Sequence, residues 1–145
     1  MNSVLQVVHG NESIERIVQF HNRIDELLIP RLSSRVDIAE YAKKLAQRAL
    51  NIFVTVERED IGICSIYCNE AEAFITSFAV CEEYQGMGIG MQLMRRAIHL
   101  AKSSGCSCIL LDVHFTNTKA KRFYLNNGFS IITIGEQWIR MKLEL

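Results

Sequence analysis

The sequence predicts an α+β fold: a central, mostly antiparallel mixed sheet covered by helices on both faces, an α/β/α sandwich. Three observations carry this. The hydrophobic period switches from helical spacing to β-rich runs near residue 50 and back again near residue 90. Three consecutive β-rich runs are joined by short connections, as in a meander, while the later strands alternate with helices. The run Cys108–Val113 is nearly all apolar, as expected for a strand covered on both faces. A length of 145 residues fits one domain, taken as 1–145, with enough chain to bury a core.

Leu5–Val8 reads as a first strand. Asn11 then makes an N-cap, with Glu12 and Glu15 in the first turn where the helix dipole favours acids. Ile14, Ile17, Val18, Ile24 and Leu28 follow helical spacing, and the helix must end before Pro30. A second helix starts near Asp37, with Glu40 three residues on as in a capping box; Ile38, Tyr41, Ala42, Leu45 and Ala49 form its inner stripe. Ile52–Glu57 and Ile61–Cys68 read as a hairpin turning at Arg58-Glu59-Asp60, and Ala73–Val80 as the third meander strand. Beyond a glycine-rich loop, Leu93, Met94, Ala97, Ile98 and Ala101 mark a third helix, stopped by Gly105. Cys108–Val113 is a strand, Asn117–Asn127 a helix ended by Gly128, and Ser130–Ile134 and Trp138–Leu143 close the chain around Gly135. The order is β-α-α-β-β-β-α-β-α-β-β.

Sixteen basic residues balance sixteen acidic ones, so bulk charge gives no support for a nucleic-acid partner. The longest apolar runs, such as Phe74–Val80, are far too short to span a bilayer, and no membrane partner is expected. The first residues do not read as a signal peptide. The five cysteines form no Cys-x-x-Cys pair; they read as small buried hydrophobes in a reducing cytoplasm, and no metal site is expected.

The stretch Gln85-Gly86-Met87-Gly88-Ile89-Gly90 places glycines at every second position between an apolar strand and an amphipathic helix. Such a loop lets backbone N–H groups converge, and the helix start adds its positive dipole end, which suits a phosphate or pyrophosphate. A dinucleotide-binding turn is the competing reading, with Asp112 as its downstream acid. Against it, the third glycine would fall on Met91, and a meander precedes the loop.

Read with its surroundings, Gln85-x-x-Gly88-x-Gly90 resembles the phosphate-binding motif of the GNAT superfamily of acyl-CoA N-acyltransferases. Ser77-Phe78-Ala79-Val80 resembles that family's fourth strand, and Asn117-x-x-Ala120-x-x-Phe123-Tyr124-x-x-x-Gly128-Phe129 its second conserved region. The likeness covers about Ala73 to Ile134. Two departures stand out: Gln85 replaces a frequent arginine, and Glu82 a frequent proline.

The resemblance implies that the fourth and fifth strands splay apart and that acetyl-CoA, the acyl donor, lies in the gap. Backbone groups of Phe78 and Val80 would pair with the pantetheine arm, and a backbone N–H near Ala79–Val80 would face the developing oxyanion. The N–H groups of Gln85, Gly86, Met87, Gly88, Ile89 and Gly90 would surround the pyrophosphate, with Met91 continuing the cradle. Asn117 would bond the cofactor chain or cap its helix; both roles stay open. Tyr124 matches the general acid that attends the leaving thiolate. Tyrosine titrates near ~10 and a thiol near ~8.5, so complete transfer is uphill by roughly 2 kcal/mol, and a strong hydrogen bond serves as well. Glu72 is the first candidate base, directly or through water, and His114 the second; Cys81 has little to support it as a nucleophile.

The acceptor is expected to be a small-molecule amine, with a protein amine or a non-catalytic acyl-CoA-binding module as alternatives. Its pocket would involve Leu27–Arg35 and Gly135–Trp138. There Arg31, Ser33, Ser34 and Arg35 suit an anionic or hydroxylated acceptor. Trp138 would face the acceptor or an oligomer partner, which leaves a homodimer open.

Overall fold

The computed structural model of the protein describes residues 2–145. Strands β1 (Ser3–Val8), β2 (Leu50–Val56), β3 (Glu59–Tyr67) and β4 (Glu72–Val80) form an antiparallel meander. Strand β5 (Cys108–His114) joins β4 in parallel, and β7 (Trp138–Glu144) lies antiparallel between β5 and β6 (Ser130–Ile134). The sheet order is β1-β2-β3-β4-β5-β7-β6. The mixed, mostly antiparallel sheet is the one the element order predicts.

Four α-helices cover it: α1 (Ile14–Ile24), α2 (Ile38–Arg48), α3 (Ile89–Ser103) and α4 (Thr118–Asn126). Alternation along β4 assigns them to faces. Ser77 meets His21 of α1, and the Cys81 thiol just beyond β4 lies beside Arg23 of the same helix. Phe78 points the other way, its ring 5.5 Å from Phe123 and 5.9 Å from Tyr124 of α4. The core between the layers includes Phe20, packed edge-on at 5.9 Å against Phe53. Burying such a side chain contributes about 1.5–3 kcal/mol.

Local chemistry explains most boundaries. Asp37 accepts the Glu40 N–H at 3.0 Å, which starts α2 where the capping pattern predicts. Helix α1 differs from expectation. Asn11–Ser13 form a 3₁₀ turn, and the Asn11 side chain accepts from Gln47 rather than capping α1, which begins at Ile14. The helix also stops at Ile24, well short of Pro30, and a 3₁₀ turn over Asp25–Leu27 follows. Asp25 there accepts from the Ser33 N–H at 2.8 Å and Oγ–H at 2.6 Å, tying the turn to the loop before α2. These bonds hold its carboxyl below the usual carboxylate range.

The hairpin turn also differs. Glu57 and Arg58 both have positive φ, at 50° and 67°, and Val56 pairs with Glu59. This is the twist-matched two-residue geometry, built here without the Asn-Gly residues that normally announce it.

Buried Asn51 closes a gap between layers. Its amide donates to the carbonyls of Leu45, Ala49 and Val8, and its oxygen accepts from Ser65 at 2.6 Å.

Candidate active site

The site begins where sheet pairing stops. Only Glu72–Phe74 of β4 pair with β5, through Cys108–Leu110; past Phe74 the two strands separate. A bulge helps to turn β4: Ser65 faces Ser77 but Ile66 faces Ile75, so Thr76 is the extra residue. Tyr41 of α2 pins this bulge, its hydroxyl 2.9 Å from the Thr76 carbonyl and 2.8 Å from Oγ1. Burial pushes the Tyr41 phenol up to about 12.

Backbone direction along the open edge follows from register. The Cys81 N–H donates to the Ile61 carbonyl at 2.8 Å, so alternation also turns Ala79 toward β3 and leaves the polar groups of Phe78 and Val80 facing the gap. Ala79 is therefore excluded as an oxyanion donor, and the free N–H groups here are those of Phe78 and Val80. The Val80 carbonyl is met by Gln85 Nε2 at 3.0 Å, which joins the strand end to the glycine loop.

The gap opens into a cleft of about 580 Å³ whose lining includes Phe78, Val80, Gln85, Gly88, Met91 and Asn117. No backbone N–H from Gly86 to Met91 donates to a backbone carbonyl among the described residues; the helical pattern first resumes with Gln92 to Gly88. The loop therefore presents a concave run of donors at the start of α3. Gly88, at φ +84°, makes the turn that permits this, and a Cβ there would meet nothing within 4 Å. Gly90 answers a different need, since a Cβ would come within 3.2 Å of the Phe123 ring. Ile89 buries its side chain and Met87 exposes its own, and neither side chain lines the cleft. Asn117 Oδ1 accepts the Ala120 N–H at 3.2 Å, so the residue caps α4, with its amide nitrogen left to donate.

A second, narrower cavity of about 110 Å³ adjoins the cleft, and Tyr124, Phe78, Asn117 and Ala120 line both. Tyr124 is nearly buried, and burial pushes its phenol above the ordinary value. Its hydroxyl makes no hydrogen bond with protein among the described residues, leaving its proton available at the junction.

The candidate bases separate. Glu72 lies at the opposite end of β4, where it lines a different cavity with Lys44, Arg48 and Tyr67 and accepts weakly from the Cys108 thiol. Six residue steps along the strand separate it from Phe78, roughly 20 Å. The structure does not bring Glu72 and Tyr124 together, and sequence order along a strand concealed that distance. His114 does line the narrow cavity. Its Nδ1 lies 2.7 Å from Thr116 Oγ1 and 3.3 Å from the Thr116 N–H, so that nitrogen is taken up by its own loop. Cys81 lines neither cavity, and burial pushes its thiol up.

Of the residues expected around the acceptor, Arg31 pairs with Asp25 and Glu26, Ser33 bonds Asp25, and Ser34 bonds the Arg31 carbonyl. All three hold the loop together. Of the four polar residues only Arg35 lines the narrow cavity, beside Leu28, Ile29, Pro30, Leu32 and Trp138 of the two expected segments; it is stacked 5.1 Å over Trp138 and makes no ion pair among the described residues. Asp112 is held by a two-point ion pair with Arg140, at 2.8 and 2.9 Å, which leaves no support for a ribose-binding role.

Residues 17–129 match the model of the acetyltransferase (GNAT) family. The chain belongs to that family. It is 31% identical over 80 residues to the ribosomal protein bS18-alanine N-acetyltransferase of Haemophilus ducreyi, covering 55% of this chain and 54% of the relative. It is 30% identical over 71 residues to the thialysine N-epsilon-acetyltransferase of Mus musculus, covering 49% and 42%. The chain thus spans about half the length of these curated relatives. The PaiA N-acetyltransferase of Thermoplasma acidophilum, solved in complex with coenzyme A, shares the fold over the whole of both chains, with a TM-score of 0.81 at 17% identity.

Three features of this GNAT site escape a reading of the motifs. Lys119 lines the cleft, with its ammonium against Gln85 Oε1, and supplies a cation beside the loop. Leu27, Leu28 and Ile29 line the cleft from the segment after α1. Finally, His21 is fully buried, with Nδ1 2.8 Å from the Ile17 carbonyl and Nε2 2.7 Å from Ser77 Oγ. The only sequence signal for His21 was a polar residue at helical spacing between Ile17 and Ile24.

Proposed function

We propose that this GNAT chain transfers an acetyl group from acetyl-CoA to the primary amine of a small-molecule acceptor, by direct attack in a ternary complex. The observation that carries the reading is Tyr124, whose side chain borders the large cleft and the narrow cavity at once. A donor in one and an amine in the other would meet at its hydroxyl.

The residues fit the donor. The unpaired N–H groups of Gly86–Met91 suit a pyrophosphate, and Lys119 adds positive charge. The free edge of Phe78 and Val80 suits the amides of pantetheine, as an added strand would. When bound, acetyl-CoA supplies an activated thioester. The Val80 N–H then stands near the end of the splay, placed to donate to a carbonyl oxygen as charge develops. Tyr124, held protonated by burial, donates a hydrogen bond to the departing thiolate.

A small acceptor is supported by the narrowness of the second cavity, and Arg35 suits one bearing a carboxylate. A second reading, the terminal amine of a peptide, is favoured by the name of the Haemophilus relative. Calorimetry with acetyl-CoA tests the donor: binding is expected below hundreds of micromolar, and none there sinks the proposal. A thiol-release screen over amino acids, spermidine and short alanyl peptides tests the acceptor. Turnover with peptides alone selects the second reading.

A further inference from the structure

The wall of the narrow cavity contains a hydrogen-bonded pair that the family motifs leave without a role. The Ile17 carbonyl can only accept, so the His21 proton sits on Nδ1, and Nε2 presents a lone pair to Ser77 at 2.7 Å. The Ser77 hydroxyl therefore donates inward, and its oxygen lone pairs remain for a donor in the cavity that Ser77 lines. His21 is 0% exposed and does not line the cavity. Its contact with that cavity runs through Ser77. The pair approaches from the α1–α2 face of β4, and Tyr124 from the α4 face, so the two flank the gap between β4 and β5.

We propose that Ser77 and His21 form a proton relay that serves as the base of the acetyl transfer, a step that rests on the acetyltransferase reading above. The amine nitrogen attacks the thioester carbon, the C–N bond forms and the C–S bond breaks. As its nitrogen becomes acidic, the amine passes one proton to Ser77 Oγ, whose own proton moves to His21 Nε2. The thiolate leaves against Tyr124. The imidazolium then returns its proton through Ser77, and the thiolate takes one up, so amine and thioester become amide and thiol.

The other polar groups of the cavity are less suited. Asp112 is occupied by Arg140, His114 Nδ1 is occupied by Thr116, 2.7 Å from its Oγ1, and Tyr41 is bonded to Thr76. The titratable groups facing His21 are Tyr41 of α2, its ring 5.7 Å away edge-on, and Asp25 in the turn beyond α1. Burial lowers the His21 pKa from its ordinary value, against a smaller raising effect of the Ile17 bond and the Asp25 charge. The ring is thus neutral at pH 7, as a base must be.

The test uses the full chain, acetyl-CoA, and whichever of L-alanyl peptide, L-lysine or spermidine gives the fastest thiol release. For the wild type, log kcat/KM should fall with a slope of about 1 where the acceptor ammonium forms, steepening to about 2 where His21 protonates, at a pH below the ordinary histidine range. Ser77→Ala should lower kcat by about 100-fold, leave the acetyl-CoA Kd unchanged, and keep a slope of 1 throughout. Ser77→Thr, which retains a hydroxyl, should restore the steeper limb. His21→Gln should behave as Ser77→Ala does; if it fails to fold, the two serine variants decide. A Ser77→Ala enzyme with wild-type kcat and the steep limb intact overturns the relay alone. A wild type that releases no thiol with any acceptor overturns the acetyltransferase reading, and the relay with it.

Discussion

Replacing Tyr124 by phenylalanine removes one oxygen and little else. The hydroxyl makes no protein hydrogen bond among the described residues, so its loss leaves no partner unsatisfied. The ring contacts with Phe78 at 5.9 Å, Phe123 at 5.6 Å and Phe129 at 5.7 Å are all retained. Folding stability should therefore change by less than about 0.5 kcal/mol, and the acetyl-CoA Kd by less than about twofold. Turnover is another matter. A hydrogen bond to a charged group contributes about 1.5–3 kcal/mol, and each 1.36 kcal/mol is tenfold in rate, so kcat should fall by roughly 10- to 150-fold. Calorimetry gives the Kd, thermal unfolding the stability, and thiol release the rate. A Tyr124→Phe enzyme whose kcat stays within twofold of wild type would refute the role given to the phenol. A parallel loss of donor affinity would recast Tyr124 as a binding residue.

Gly88→Ala meets no clash but strains a backbone at φ +84°, at about 1–2 kcal/mol; calorimetry should show acetyl-CoA binding weakened by roughly 5- to 30-fold. Lys119→Ala should weaken the same binding less, with the gap between variant and wild type closing as salt rises, because the ammonium is exposed. Glu72→Gln should leave turnover within twofold, since the residue lines a cavity away from Tyr124; a loss beyond tenfold would return it to the mechanism. Asn51→Ala should cost about 3 kcal/mol by stranding buried carbonyls and the Ser65 hydroxyl, lowering Tm by roughly 10 °C without a specific effect on kcat.

Most of the framework was legible in the chain. The period change near residue 50, the cap at Asp37 and the stop at Gly105 each act through local chemistry, and the strands and helices fall close to the expected bounds. The misreadings arose where a local signal was weak or had a distant competitor. Glu57 and Arg58 carry no turn signature, yet the register of β2 and β3 places both at positive φ. Asn11 has a good capping side chain, but it bonds Gln47 from another helix. Arg31, Ser33 and Ser34 looked free for an acceptor and are instead bonded within their own loop, Arg31 and Ser33 to Asp25 and Ser34 to the Arg31 carbonyl.

The donor side of this protein was set by sequence alone, because a glycine-spaced loop before a helix makes an anion cradle from backbone groups that need no distant partner. Tyr124 and Asn117 came with the second motif for the same reason of short range. Which groups face them was decided only by tertiary structure. Strand β4 carries Glu72 at one end and Ser77 near the other, and only the sheet shows which end meets Tyr124. His21 is separated from Ser77 by 56 positions in the chain, and they meet because α1 packs across β4. Side-chain pairs of that kind are fixed by packing between layers, and no local pattern records them.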